Sequence, residues 1–145
     1  MKEVIIIEQE YIVEQKCLQL LEQSIAYDAS DVHLLPREKD YKVMFRKFGK
    51  FFSIGNVPNE LAIRMISYFK FLSSLDISEK RKPQSGAFQK ELQHQLYSFR
   101  ISTLPSTFQK ESLAIRFFRQ NYTRPITTLC HDANSAEQLL KLVTQ

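Results

Sequence analysis

Two helices are predicted by apolar residues that recur every three or four positions along the chain. The first extends from about residue 10 to residue 27. Its apolar stripe consists of Val13, Cys17, Leu20, Leu21 and Ile25. The second follows Pro58, a residue type that suits the first turn of a helix, and continues to about Ser74. The apolar run Val4–Ile7 fits either a short edge strand or the beginning of the first helix.

Six segments have the character of strands, three before the second helix and three after it. They are Asp31–Leu35, Tyr41–Phe48, Phe51–Ile54, Ala87–Leu92, Leu96–Ser102 and Ser112–Phe118. In the second segment Tyr41, Val43 and Phe45 alternate with more polar residues, which predicts one buried face and one face open to solvent or a partner. Most connections are short enough for hairpins, and one helix is available as a crossover. The order therefore predicts an α+β domain with an antiparallel sheet that carries helices on one side.

The length of 145 residues suits one compact domain, and a change of composition marks its end. Pro, Asn and Thr cluster in Asn121–Pro125, as in linkers. Beyond it, Ser135 is suited to cap a short helix whose apolar face includes Leu139 and Val143. We expect a domain over residues 1–120, followed by a linker and a short helix over residues 121–145.

Charge is distributed unevenly along the chain. Residues 1–30 contain two lysines against six acidic residues, a balance of −4. Residues 31–125 contain 17 Lys or Arg against eight acidic residues, a balance of +9. A basic body of this kind attracts phosphate, nucleic acid, lipid headgroups or an acidic protein surface. A solvated basic face without a specific partner is the alternative.

The sequence contains no motif for catalysis or for binding a nucleotide by itself. There is no G-x-x-x-x-G-K-[S/T] loop, and the three glycines are scattered. Cys17 and Cys130 match neither a metal-ligand spacing nor a redox pair. The three histidines lie far apart and outside any recognisable metal or nucleophile motif. We therefore predict no catalytic residue, no metal site and no cofactor bound by this chain alone.

Three segments in a fixed order resemble a known family. They are ASDVHLLP (Ala29–Pro36), LDISEKRKPQSG (Leu75–Gly86) and RISTLPSTFQKESLAIR (Arg100–Arg116). Together they are similar to the amino-terminal domain of the secretion and pilus-assembly ATPases, the motors of type II secretion, type IV pili and competence pseudopili. YFKFLSSLDI (Tyr68–Ile77) and SLAIRF (Ser112–Phe117) resemble most the Gram-positive competence branch, which serves DNA uptake.

The resemblance implies a PAS-like sheet and a role within a larger machine. In the family, ATP and Mg²⁺ are held by a second, carboxy-terminal domain, and six subunits form a ring. We therefore expect an ATPase domain beyond Gln145, a homohexamer of the full-length protein, and a contact with the ATPase domain of the same or the adjacent subunit. A membrane platform protein is the other expected partner. A cytoplasmic location at the inner face of the cell membrane follows, and no direct contact with nucleic acid is expected.

The resemblance also assigns roles to individual residues. Arg100 matches an arginine expected to contact the nucleotide of a neighbouring subunit, because a guanidinium on a rigid strand can clamp phosphate oxygens. An ion pair with Glu91 or Glu111 is the structural alternative. Arg116 matches a later family arginine and is a weaker candidate for the same nucleotide contact; for it a structural ion pair is the preferred interpretation.

The polar segment before the fourth strand supplies candidates for a subunit interface. These are Lys80, Arg81, Lys82 and Gln84, in a loop similar to a family stretch. An exposed loop kept in solution by its charge is the plainer interpretation. Ala87 departs from the family pattern, which commonly has an arginine there, so one expected nucleotide contact is missing or is supplied elsewhere.

Two other functions fit the residues less well. A stand-alone PAS-like sensor would need a ligand cavity between helix and sheet, which the eleven Phe residues argue against. A nucleic-acid-binding sheet could stack bases on Tyr97, Phe99 and Phe117, but no full RNA-recognition signature is present.

Overall fold

The structure, a computed structural model, describes the backbone of residues 2–120 and the side chains of residues 11–120. Two helices and six strands follow one another along this part of the chain. They are α1 (Lys2–Ala26), β1 (Asp31–Pro36), β2 (Asp40–Lys47), β3 (Lys50–Pro58), α2 (Asn59–Leu72), β4 (Gln84–Leu92), β5 (Gln95–Pro105) and β6 (Glu111–Arg119). One 3₁₀ turn, Thr107–Gln109, joins β5 to β6. The linker and helix predicted over residues 121–145 lie outside the described residues.

The strands form one antiparallel sheet in the order β3-β2-β1-β6-β5-β4. Hairpins join β1 to β2, β2 to β3, β4 to β5 and β5 to β6, and α2 makes the crossover between the two halves. The crossover returns the chain so that the last strand, β6, pairs with the first, β1. The predicted α+β class is confirmed, and this central pairing of first and last strands is that of a PAS-like sheet.

Both helices lie against one face of the sheet. Tyr41, Val43 and Phe45 of β2 are buried, as their alternation predicts. In β5 the buried residues are Tyr97, Phe99, Ile101 and Thr103, which again alternate along the strand. Val13, Cys17, Leu20 and Leu21 of α1 meet Ala62, Met65, Ile66 and Phe69 of α2 over this layer. The opposite face of the sheet carries no helix in the described part of the chain, and we call it the open face.

The elements are longer than the sequence pattern indicates. The run Val4–Ile7 belongs to α1, which resolves the alternative between strand and helix. Strand β3 continues to Pro58, past a bulge that shifts its register opposite Val43 and Met44. A two-residue turn, Phe48 and Gly49, joins β2 to β3, and the φ of Gly49 is 75°. Within residues 2–120, neither helix combines the length and the apolar content that crossing a bilayer requires.

Gly86 allows β4 to pass close to the end of α2. A Cβ at this position would lie 2.9 Å from the Ser73 carbonyl oxygen and 2.9 Å from Leu75 Cδ2. We expect Gly86→Ala to lower the free energy of unfolding by about 1–3 kcal/mol, because backbone must shift to admit the methyl group. Urea unfolding measures this loss. Gly55→Ala is the matched control: a Cβ there meets nothing within 4 Å. Equal stability of the two variants would contradict the close approach.

Candidate functional site

Four charged residues form a line across the middle of the open face. Arg100 of β5 lies directly opposite Arg116 of β6, which lies opposite Asp31 of β1, which in turn lies opposite Arg46 of β2. Residues directly opposite each other in an antiparallel pair share one face of the sheet. We call these four residues the arginine row. It carries three positive charges against one negative charge, although like charges directly opposite each other are unfavourable.

Asp31 is the one carboxylate of the row, and it pairs with two of the three arginines. Its side chain is buried, with Oδ1 3.4 Å from Nε of Arg116 and Oδ2 3.8 Å from Nη1 of Arg46. The two guanidinium groups remain partly exposed on either side of it. The preferred interpretation of Arg116 as a structural ion-pair partner therefore agrees with the structure, and its partner is Asp31.

Arg100 differs from the other arginines of the row. Its side chain is exposed, and none of the carboxylates in residues 11–120 forms a salt bridge with it. The alternative ion pair with Glu111 is wrong, because Glu111 is buried on the helix side of the sheet. The described side chains show no pair with Glu91 either. The guanidinium of Arg100 is therefore available to an anion from outside this part of the chain.

The position opposite Arg100 on the edge strand is Ala87. This is where the family pattern has a further arginine, so the row would otherwise extend across one more strand. With alanine there, an open depression of about 450 Å³ lies beside Arg100, lined also by Gln89, Ser98 and Phe118. The departure at Ala87 thus leaves space next to the available guanidinium.

A buried ion pair lies on the other side of the sheet. Lys70 Nζ is 2.7 Å from Glu111 Oε1, and both side chains are almost fully buried. The same Nζ donates to the Glu79 carbonyl at 2.8 Å, and the Tyr41 hydroxyl donates to the Glu111 carbonyl at 2.8 Å. Burial, with a smaller contribution from the Glu111 charge, raises the pKa of Tyr41 to about 12. This cluster ties α2, β2 and β6 to the loop that precedes β4.

That loop contains the predicted interface residues. Gln84 holds the loop closed: its amide oxygen accepts from the Asp76 N–H, and its amide nitrogen donates to the carbonyls of Asp76 and Glu79. Lys80, Arg81 and Lys82 are exposed, and no salt bridge involves them within residues 11–120. Their charges are available to a partner, whereas the Gln84 side chain is occupied within the chain.

His33 lies beside the arginine row, with Nε2 3.8 Å from Asp31 Oδ2 and its ring 5.1 Å from that of Phe51. Burial lowers the pKa of His33; nearby Asp31 opposes this shift, while Arg46 and Arg116 add to it. As the pH falls, His33 therefore takes up a proton in the unfolded chain, near about pH 6.5, before it does so in the folded chain.

We expect this residue to make stability depend on pH. The free energy of unfolding should decrease as the pH falls below about 6.5, and His33→Gln should remove that part of the decrease. Chemical unfolding at pH 7.5 and pH 5 measures both proteins. The same pH dependence in His33→Gln as in the unsubstituted chain would contradict the lowered pKa of His33.

The structure corrects the residues offered for nucleic-acid binding. Tyr97 and Phe99 are buried under the helices, with 6% and 0% of their surfaces exposed, and Phe117 packs against the same core. The less favoured alternative, in which these rings stack on bases, therefore does not agree with the structure. Under β4 and β5, aromatic rings pack closely in the layer where a ligand sensor would need space: Phe88 stacks on Phe99 with ring centroids 4.9 Å apart.

Sequence reasoning missed Asp31 and Arg46. The sequence predicts Asp31 as the first residue of a strand, which the structure confirms, but it does not indicate that the Asp31 side chain binds two arginines. Arg46 is one of the more polar residues that alternate with Tyr41, Val43 and Phe45, and the sequence does not indicate its partner. Alternation along the strands could have placed the three arginines on one face of the sheet, because Arg46, Arg100 and Arg116 each stand next to core residues in their strands.

Comparison with known families identifies the chain. The profile of the type II/IV secretion system proteins matches residues 7–145. The chain belongs to this family. It is 40% identical to the competence protein ComGA of Bacillus subtilis over 74% of the chain and 30% of that protein. With ComGA of Halalkalibacterium halodurans the identity is 37%, over 87% of the chain and 36% of the relative.

The likeness extends to the pilus branch of the family. The type IV pilus assembly ATPase PilB of Acinetobacter baylyi is 40% identical over 61% of the chain and 16% of that protein. The resemblance to secretion and pilus-assembly ATPases is thus confirmed, including the likeness to its competence members. The chain spans about a third of the length of the two competence proteins that it matches.

Proposed function

We propose that this chain is a regulatory and assembly domain of a hexameric secretion-type ATPase that powers a competence pseudopilus or a related type II system. The full-length protein hydrolyses ATP with Mg²⁺ in a second domain, and this domain does no catalysis by itself. Its similarity to PilB, which is named an assembly ATPase, supports this assignment.

The observation that carries the proposal is the arginine row on the open face of the sheet. Two of its arginines are held by Asp31, and the third, Arg100, has no acidic partner among the described residues. With three arginines and one carboxylate, the arginine row has a surplus of positive charge, and the sheet holds it in a fixed position. Such a surface suits the phosphates of a nucleotide that an adjacent ATPase domain holds, since a guanidinium can donate to two phosphate oxygens at once.

The loop before β4 completes the proposed interface. The exposed charges of Lys80, Arg81 and Lys82 face an acidic surface of the same or the adjacent subunit, while Gln84 keeps the loop in shape. Nucleotide-dependent movement of the whole domain, as a rigid body, then transmits force to a membrane platform protein at the inner face of the cell membrane.

ATP turnover by the full-length protein tests the proposal. Arg100→Ala should lower turnover in a protein that still folds and assembles, because Arg100 supports none of the contacts of the described core. Turnover equal to that of the unsubstituted protein would reject a role of Arg100 at the nucleotide.

A further inference from the structure

The β2–β3 hairpin ends in an unusually exposed aromatic tip, which the proposed function does not use. Phe48 stands at the turn with 86% of its surface exposed. Phe51, Phe52 and Ile54 follow on the edge strand β3, each with about two fifths to one half of its surface exposed. We call Lys47–Ile54 the hairpin tip. It is a convex apolar projection at the edge of the sheet.

The turn itself is built with an unfavourable residue. Phe48 has a φ of 53° and Gly49 a φ of 75°, so both central residues of the two-residue turn are left-handed. Asn or Asp is strongly preferred at the first of these positions, because their side chains tolerate the left-handed region. A phenylalanine there is strained and gains little by contact with its own chain. A residue that breaks a local rule without gain to the fold points to a function outside it.

Positive charge surrounds the tip. No acidic residue occurs between Asp40 and Glu60 in the sequence, whereas this stretch contains four basic residues. Lys47 Nζ lies 5.4 Å from the centroid of the Phe48 ring, and the Arg46 guanidinium lies 5.6 Å from that of Phe51. Lys50 is exposed on the other side of the turn. Arg46 is also paired with Asp31, so Lys47 and Lys50 supply the uncompensated positive charge at the base of the apolar tip.

We propose that the hairpin tip inserts into the headgroup region of a membrane that contains anionic lipids. Phe48 enters the boundary between headgroups and acyl chains, while Lys47 and Lys50 remain at the level of the lipid phosphates. Charge complementarity selects an anionic leaflet, and the apolar side chains supply the part of the affinity that salt does not screen. This inference is independent of the proposed role of Arg100.

The shape of the tip favours a membrane over a nucleic acid. Base stacking needs rings on a platform or in a groove that tracks the phosphate backbone. Here Phe51 lies on the open face, Phe52 packs toward Tyr27 on the other face, and Phe48 projects from the end. The exposed aliphatic side chain of Ile54 adds apolar surface and no ring. Rings that diverge around a convex tip suit insertion into lipid.

Vesicle flotation of the 145-residue chain tests the inference. The probes are large unilamellar vesicles of phosphatidylcholine, with and without about one third phosphatidylserine. We expect binding to the anionic vesicles only. Phe48→Asn should weaken that binding about tenfold, and Lys50→Gln should weaken it about fivefold. Because Asn suits the turn better than Phe, the thermal midpoint of Phe48→Asn should be unchanged or higher, which separates lost binding from lost folding.

The chain contains a matched control at the opposite end of the sheet. Phe108 is also exposed, also has a left-handed backbone with a φ of 60°, and also has a lysine beside its ring. Phe108→Asn should therefore leave vesicle binding unchanged. Equal effects of Phe48→Asn and Phe108→Asn would overturn the proposal, as would absence of binding to anionic vesicles at low salt. Binding of a single-stranded oligonucleotide that depends on Phe48 and prevents flotation would instead assign the tip to nucleic acid.

Discussion

Lys70→Met should lower the free energy of unfolding by about 3–5 kcal/mol, because it leaves the Glu111 carboxylate buried without its counter-charge. The pair is 2.7 Å long, and both side chains are excluded from water. The same ammonium group also binds the Glu79 carbonyl, so its loss should loosen the loop before β4. Urea unfolding followed by circular dichroism measures the first effect, and hydrogen exchange in that loop measures the second.

Two further variants sharpen this prediction. Lys70→Met combined with Glu111→Leu should recover much of the lost stability, since no unpaired charge remains buried. Arg37→Ala breaks a pair with Asp40 of the same 2.7 Å length on the exposed β1–β2 turn, and should change stability little. A loss in Lys70→Met no greater than in Arg37→Ala would show that burial of the pair has no energetic consequence.

Arg100→Ala should reduce ATP turnover of the full-length protein about a hundredfold, the size of effect expected when one donor to a developing charge is removed. The reduction should appear chiefly in kcat if Arg100 acts in the transition state, and in KM if it only helps to bind the nucleotide. Arg100→Lys should recover only part of the rate, because an ammonium group lacks the planar fork of donors.

The control for Arg100 lies on a neighbouring strand. Arg119 at the end of β6 is exposed. It stands an even number of residues after the core residues Leu113 and Ile115, so it lies on the helix side of the sheet, opposite to the face of Arg100. Arg119→Ala removes the same charge and should leave turnover near that of the unsubstituted protein. Similar losses in the two variants would attribute the effect to net charge and would contradict a specific contact by Arg100.

Much of this fold follows from local patterns. The alternation of Tyr41, Val43 and Phe45 predicted the buried face of β2, and Pro58 marked the beginning of the second helix. Such signals act within a few residues, so they are visible in one sequence. The same reasoning found the class of the fold and the order of its elements.

The candidate site depends on register between distant strands, and local patterns do not contain it. Asp31, Arg46 and Arg116 come together only because β1 lies between β2 and β6, with the pairings that the sheet adopts. Lys70 and Glu111, 41 residues apart, are likewise joined by the crossover of α2. The residues next to Lys70 and Glu111 in the sequence do not indicate that either has a buried partner. The family resemblance could name Arg100, but only the sheet shows that the described residues leave it without an acidic partner.

Mixing two inactive full-length variants tests the central claim most directly. One carries Arg100→Ala, and the other carries a substitution of the phosphate-loop lysine in the proposed ATPase domain. If Arg100 completes the nucleotide site of a neighbouring subunit, mixed assemblies contain some sites with both groups intact, about a quarter at random mixing. We predict that turnover reappears on mixing, to a similar fraction of the unsubstituted rate. Mixed assemblies that form hexamers yet hydrolyse no more ATP than either variant alone would contradict the account.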